Sequence, residues 1–222
     1  MAVIVRVWDA PTRLFHWALV LCFVGLLVTS QVGGTAMDWH FRFGYAVLTL
    51  LLFRVVWGLF GGHWSRFSTF IVGLPQIWRY LRGQGKPHDA VGHNPLGALS
   101  ILAVLSLLAM QVASGLMSDD EIAAAGPLTR FVPSDWVSVA TYYHKDIGKY
   151  ILLGLVALHL GAIAFYYFRK QDNLVKPMIT GDKLVPFEAP SAGDGWTERG
   201  RAGLVFLACA ALVGSVVTGL NG

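Results

Sequence analysis

The sequence predicts an all-α integral membrane protein, built as a four-helix transmembrane bundle with a fifth transmembrane helix. Hydrophobic residues make up 55% of the 222 residues and charged residues only 14%, which is too apolar for a soluble domain of this size. Five apolar stretches are each long enough for a helix to cross a bilayer. Most Lys and Arg residues lie in the loops between them, so the net charge of +4 reflects membrane topology and not a nucleic-acid surface.

The N-terminal region leads into the first span. Residues 3–8 form an apolar, strand-like tip that ends in a turn at Asp9, and Thr12 is the predicted N-cap of a span over residues 14–32. The length of this apolar run, with no small-residue cleavage site after it, disfavours a signal peptide. After a short loop with two glycines, residues 43–60 form the predicted second span.

The loop between the second and third spans, residues 61–95, is the longest polar stretch. It is rich in Arg and Lys, which predicts a cytoplasmic location. Within it, residues 70–81 are expected to form an amphipathic helix on the membrane surface. The predicted third span, residues 96–117, contains no histidine and is expected to serve packing.

The last two spans complete the predicted topology. The fourth covers residues 142–168 and is followed by a second basic segment. The fifth covers residues 202–220, and its small residues suit close packing against the bundle or a partner subunit. Five crossings with cytoplasmic basic segments predict a cytoplasmic N-terminus and a periplasmic C-terminus in a bacterial inner membrane. We expect a bundle over residues 1–183, and a linker with the extra helix over 184–222.

Two histidines in the fourth span carry the functional argument. His144 and His159 are fifteen residues apart. In an uninterrupted α-helix, this spacing offsets the rings by roughly 60° on one face and separates them by about 22 Å along the axis. An unpaired imidazole in hydrocarbon is costly, and a neutral imidazole can ligate iron. One helix face therefore offers ligands at two membrane depths.

The topology pairs each of these rings with a histidine of another span. His16 and His159 are predicted near the cytoplasmic side, and His40 and His144 near the outer side. Facing helices of a bundle commonly hold cofactors in this way, and bis-histidine ligation leaves no open position on the iron. No C-x-x-C-H motif is present, so the prediction is two non-covalent haem b groups that transfer electrons.

Arg54 and His93 are further candidate cofactor-binding residues. Arg54 lies inside the second span, where it can bind a haem propionate or extend its side chain to the nearby interface. His93 can hydrogen-bond a propionate, help to form a quinone pocket, or cap a turn with Asn94. His63 and His88 are expected to be solvated.

Several of these segments together resemble the prokaryotic four-helix di-haem cytochromes b, a family that includes the membrane b-type cytochrome subunits of nickel–iron hydrogenases. The resemblance extends to about Lys183. The segments that carry it are Arg13-Leu-Phe-His16-Trp17, His40 with Gly44-Tyr45, Arg54-Val-Val-Trp57-Gly58, Arg66-Phe67, Gly92-His93-Asn94-Pro95-Leu96-Gly97, His144, His159 and residues 173–181. The fifth span departs from the family pattern.

The resemblance implies iron ligands at His16, His40, His144 and His159. It also implies electron transfer between a redox partner and the quinone pool. We expect the partner to be a hydrogenase-like subunit or a c-type cytochrome at the outer face. The acidic residues 119–121 suit such a partner if it is basic. Two alternatives stay open: a stand-alone haem quinone oxidoreductase, and a transporter whose histidines relay protons or bind a metal without haem.

Overall fold

Five long apolar helices dominate the computed structural model, which describes residues 2–122 and 124–221, without the side chains of His88, Ala90 and Asn221. The expectation for His88 therefore lies outside the described residues. The long helices are α1 (Ala10–Val32), α2 (Met37–Phe60), α5 (Pro95–Leu116), α7 (Lys149–Arg169) and α9 (Trp196–Asn221). The shorter elements are β1 (Val3–Arg6), α3 (Phe67–Phe70), α4 (Leu74–Leu81), α6 (Ser134–Tyr142), α8 (Val175–Thr180) and β2 (Asp182–Val185).

The predicted fold class is confirmed. Five helical stretches are long and apolar enough to cross a membrane: Ala10–Val32, Gly34–Phe60, Pro95–Leu116, Ser134–Arg169 and Trp196–Leu220. Large apolar side chains on α1, such as Leu14 and Leu21, are more than two-thirds exposed. An apolar surface of this kind fits lipid and not water.

The fourth span differs from the prediction in its bounds and its geometry. It begins at Ser134, directly after Pro133, and so eight residues before the predicted start at 142. A six-residue π-helical turn, Tyr143–Gly148, then joins α6 to α7. The assumption of an uninterrupted α-helix from residue 142 is therefore wrong at its start, where His144 lies.

The first helix is capped by Asp9 and not by Thr12. The helix begins at Ala10, and the backbone N–H of Thr12 donates a hydrogen bond of 2.8 Å to Asp9 Oδ1. The other oxygen, Oδ2, accepts hydrogen bonds from Trp57 Nε1, Ser65 Oγ and the backbone N–H of Gly62. Asp9 is fully buried, so these donors compensate for the loss of water around its carboxylate.

The chain divides into two compact units. The first comprises Met1–His16, Arg54–Ala103 and Ala157–Val205, and the second comprises Trp17–Phe53, Val104–Val156 and Phe206–Gly222. The expected division at residue 183 stays a prediction. The first unit contains an antiparallel pair of strands, β1 and β2, in which Val3 pairs with Val185 and Arg6 with Asp182. The strand-like tip is thus confirmed.

In the second unit, four helices share one apolar core. Val47 and Leu51 of α2, Leu108 of α5 and Leu152 of α7 are buried together, and residues of α1 pack against them. The fifth long helix contacts this unit as well, because the rings of Phe53 and Phe206 lie 6.1 Å apart. The fifth helix therefore docks on the bundle helices, which was one of its two predicted positions.

Candidate functional site

His40 and His144 form a histidine pair in the second unit. His40 lies in the first turns of α2, and His144 is the second residue of the π-helical turn. Their ring centroids are 6.2 Å apart, and their planes are nearly perpendicular, at 87°. The structure therefore brings together the two side chains that the sequence predicts to share the outer site.

Backbone carbonyls fix the protonation of both rings. His40 Nδ1 lies 3.2 Å from the carbonyl oxygen of Leu26, and His144 Nδ1 lies 2.9 Å from that of Gln111. A carbonyl oxygen can only accept, so each Nδ1 carries the proton and each Nε2 keeps its lone pair. Metal-ligating histidines usually have this arrangement, because the Nδ1–H bond sets the tautomer and orients the ring.

His16 and His159 form the second pair, in the first unit. His16 lies in α1 and is half-buried, whereas His159 lies in α7 and is exposed. Their ring centroids are 6.4 Å apart, with 53° between the planes. The structure brings these two predicted partners together as well.

Both pairs fit axial ligation of an iron porphyrin. Metal–imidazole bonds are about 2.0–2.1 Å long, so two rings on opposite sides of one ion have centroids roughly 6 Å apart. Among the residues that the structure describes, no three His, Cys, Asp or Glu side chains converge, whereas tetrahedral zinc sites take three or four protein ligands. One turn after His40, a Cβ at Gly44 would meet no described atom within 4 Å, which leaves room beside the helix for a flat ring.

Arg54 is buried in the first unit. It is 3% exposed, and its Nη1 donates a hydrogen bond of 3.1 Å to the carbonyl oxygen of Ser65. The guanidinium also lies over the ring of Phe67, 4.8 Å from its centroid, and within the electrostatic reach of Asp9. Ser65 and Phe67 follow the end of α2, so the guanidinium of Arg54 is directed to that end of the helix and is buried there. Its binding of a propionate stays a prediction.

His93 lies between two aromatic rings. The centroids of Trp8 and Phe70 are 4.5 Å and 4.6 Å from that of His93, and within the described part of the chain its solvent-shielded Nδ1 has no hydrogen-bond partner. Burial and the positive charge of Arg54 lower the pKa of His93 to about 3. Asn94 caps α5 by accepting from the N–H of Gly97, so the cap expected as an alternative is present and is made by the neighbour Asn94, not by the His93 ring.

A cavity of about 280 Å³ opens beside His93 in the first unit. Its lining residues are His63, Trp64, Thr69, Phe70, Val72, Gln76, Asp89, His93, Pro95 and Pro190. Several of these side chains can donate or accept hydrogen bonds, whereas Trp64 and Phe70 offer flat apolar surfaces. His63 is only partly exposed, in contrast to the solvated position expected for it. This combination suits a flat molecule with polar groups at its rim.

The sequence prediction missed Gln111 and Thr29, which contact the histidine pair of the second unit. Gln111 Nε2 donates a hydrogen bond of 2.9 Å to the backbone oxygen of His144, and Thr29 Oγ1 lies 3.3 Å from His40 Nδ1. Gln111 lies in the span for which only packing was expected. An uncharged polar residue inside an apolar span was the available signal, because such groups require partners in a membrane.

Comparison with known proteins gives one consistent family. The model of the prokaryotic cytochrome b561 family matches residues 7–181. A "Probable Ni/Fe-hydrogenase B-type cytochrome subunit" of Azotobacter chroococcum is 26% identical, covering 84% of this chain and 91% of that protein. The Escherichia coli K12 hydrogenase 1 protein of the corresponding name is 28% identical, covering 79% and 88%. One from Bradyrhizobium diazoefficiens is 24% identical, covering 81% and 85%.

The family match covers all the segments in which the four histidines, Arg54 and His93 lie, and it ends before the linker to α9. The matched relatives are covered over most of their own length. The chain therefore belongs to the prokaryotic cytochrome b561 family, whose members are membrane b-type cytochromes that carry haem b.

Proposed function

We propose that this chain carries electrons through two haem b groups between a redox partner and the quinone pool. The observation that carries the proposal is the pairing of four histidines, with ring centroids 6.4 Å and 6.2 Å apart. His16 and His159 hold one haem iron, and His40 and His144 hold the other. Haem b supplies one-electron chemistry between ferric and ferrous iron, and two histidine ligands leave no position for oxygen.

The residues around each pair define how the chain serves this chemistry. Backbone carbonyls orient His40 and His144, as described above, and keep Nε2 unprotonated. In the first unit, Arg54 is a buried cation that can balance the charge of a propionate.

The cavity beside His93 is the proposed quinone site. Reducing a quinone to a quinol takes two electrons and two protons, so its site needs groups that hydrogen-bond the ring oxygens and exchange protons. His63, Gln76 and Asp89 lie in the cavity wall. Trp64 and Phe70 provide aromatic surfaces against which a quinone ring can pack.

The proposed partner is a hydrogenase-like subunit, because the matched relatives carry hydrogenase names. A c-type cytochrome is the alternative partner. We place the chain in a bacterial inner membrane with a cytoplasmic N-terminus and a periplasmic C-terminus, on the basis of the Lys and Arg in residues 61–95 and 169–183. The partner then docks outside, near the acidic loop 119–121, where Asp119 and Asp120 also accept local hydrogen bonds.

A reduced-minus-oxidised spectrum of the purified protein, with haem counted per chain, tests the proposal. Wild type is expected to contain two b-type haems and His159→Ala one, because the variant lacks a ligand of one pair only. The matched control is His63→Ala, which removes a histidine outside both pairs and should retain two haems. A wild-type protein with a single haem, or a His159→Ala variant with both, would contradict the pairing.

A further inference from the structure

The π-helical turn at His144 is held by one residue of the neighbouring helix. Gln111 of α5 makes two hydrogen bonds to His144, one through its side chain and one through its backbone. Its Nε2 donates to the carbonyl oxygen of His144, and its own carbonyl oxygen accepts from His144 Nδ1, both at 2.9 Å. Both ends of the histidine, the backbone and the ring, are thus bound to a single residue.

The carbonyl oxygen of His144 belongs to the π-helical turn and also accepts a hydrogen bond from a neighbouring helix. A π turn widens the helix by one residue and disturbs the regular hydrogen-bond ladder, and such turns frequently occur at functional sites. The amide of Gln111 adds a side-chain hydrogen bond between the two helices at this point. Gln111 therefore stabilises the local geometry from which the His144 ring projects.

Two glycines provide the space for this arrangement. A Cβ at Gly115, one turn after Gln111, would lie 2.6 Å from His144 Cε1. A Cβ at Gly148, at the end of the π-helical turn, would overlap Gln111 Oε1. Since these separations are shorter than a normal van der Waals contact, any larger residue would displace the ring or the amide.

We propose that Gln111 is a positioning residue that fixes the orientation and tautomer of His144 and thereby lowers the reduction potential of the haem held by His40 and His144. This inference rests on the proposed function, since it requires haem iron at that pair. A hydrogen bond from Nδ1–H to a carbonyl makes the imidazole a stronger electron donor, which stabilises ferric iron. Without the side-chain donor of Gln111, the backbone of His144 is held less firmly. We expect this to weaken the hydrogen bond from His144 Nδ1 to the backbone carbonyl of residue 111 and to raise the reduction potential of this haem.

The angle between the ring planes provides a spectroscopic readout. In a ferric low-spin haem with two imidazole ligands, perpendicular ring planes give a more anisotropic electron paramagnetic resonance signal than planes at smaller angles. The planes of His40 and His144 meet at 87°, and those of His16 and His159 at 53°. The two haems should therefore give distinguishable signals, and His144→Ala should remove the more anisotropic one.

The test uses two variants. Gln111→Met introduces a side chain of similar length that has no hydrogen-bond donor. Gly148→Ala keeps Gln111 but displaces its side-chain amide. Redox titration and resonance spectra are recorded on the full-length protein in detergent. In both variants we expect the more anisotropic signal to move and the potential of its haem to rise, with the other haem unchanged. The controls are Gln31→Met at an exposed helix position and Gly154→Ala, where a Cβ meets nothing within 4 Å.

The outcomes separate this inference from the proposed function. Wild-type signals and potentials in both variants, or equal shifts of both haems, would overturn the role of Gln111 while the two-haem scheme stands. If Gln111→Met does not accumulate, Gly148→Ala decides by the same criteria. A wild-type protein without two haems overturns the proposed function itself.

Discussion

The ring of His144 packs against α5 because residue 115 has no side chain. A Cβ at this position would lie 2.6 Å from His144 Cε1, and the helix backbone on one side and the hydrogen bond of Nδ1 on the other leave the ring little freedom to move. The requirement for glycine here is thus set by close approach of a side chain and not by backbone conformation.

Gly115→Ala is therefore expected to disturb one haem site only. The added methyl group displaces the His144 ring, and overpacking of this kind typically costs about 1–3 kcal/mol. We expect haem content to fall from two towards one per chain, measured by absorbance against protein concentration. Gly154→Ala is the matched control, because a Cβ there meets no described atom within 4 Å. Equal haem content in the two variants would contradict the steric argument.

At the level of single residues, sequence reasoning succeeded where topology constrains the answer. Helix crossings and histidine depth were sufficient to pair His16 with His159 and His40 with His144, and the structure brings both pairs together. Their role as iron ligands stays a prediction. Asp9 was missed as the cap of α1, because both Asp9 and Thr12 are good capping residues and only their three-dimensional contacts distinguish them.

At the level of elements, the linker before α9 is fixed by a carboxylate. Asp194 has a side chain that is 4% exposed, and it accepts hydrogen bonds from Arg6, from Arg199 and from the backbone N–H of Ala10. The N–H of Ala192 also donates to the carbonyl oxygen of Arg6. These contacts join the N-terminal strand, the start of α1 and the start of α9 within the first unit.

Asp194→Asn should lower the free energy of unfolding by roughly 1–3 kcal/mol. The loss should be smaller than that caused by breaking a fully buried ion pair, because the arginine partners of Asp194 are partly exposed. Thermal unfolding in detergent at pH 7 measures this effect, with exposed Glu188→Gln in the same linker as the control. An unfolding midpoint for Asp194→Asn that equals that of Glu188→Gln would contradict the role of the carboxylate.

The same residue predicts a pH dependence. Burial alone would raise the pKa of Asp194, but hydrogen bonds from Arg199, Ala10 and Arg6 together lower it from 3.8 to about 2. A lowered pKa means that the carboxylate contributes its full stability above about pH 4 and loses it as the pH falls towards 2. The difference in stability between wild type and Asp194→Asn should therefore shrink over that range.

The elements also show where sequence patterns stop being informative. Hydropathy located all five spans, and most of their ends lie within a few residues of the prediction. It succeeds because it measures the apolar length that a bilayer requires. It could not detect the π-helical turn, because residues 143–148 differ from a regular helix in hydrogen bonding and not in polarity. The pairing of β1 with β2 joins residues that are far apart in the sequence, such as Val3 and Val185, which no local pattern encodes.

At the level of the whole molecule, the proposed electron transfer to quinone requires a site that exchanges protons, separate from the histidine pairs. In the first unit, His63 and Asp89 lie in the cavity wall beside His93. Burial and the charge of Arg66 lower the pKa of His63, so this imidazole is mainly neutral at pH 7 and can accept a proton from a quinol. Asp89 also accepts a hydrogen bond from the backbone N–H of Lys86.

Haem reduction by a short-chain quinol in proteoliposomes measures this step. His63→Gln and Asp89→Asn are each expected to slow haem reduction by about tenfold or more, because a general acid–base group usually accelerates its reaction by about 10²–10⁴-fold. Haem content and the dithionite-reduced spectrum should remain those of wild type, because neither residue belongs to a histidine pair. Asp135→Asn, at an exposed position in the first turn of α6, is the control. Wild-type rates in both cavity variants would place the quinone elsewhere on the chain, while a selective loss would assign proton exchange to this cavity.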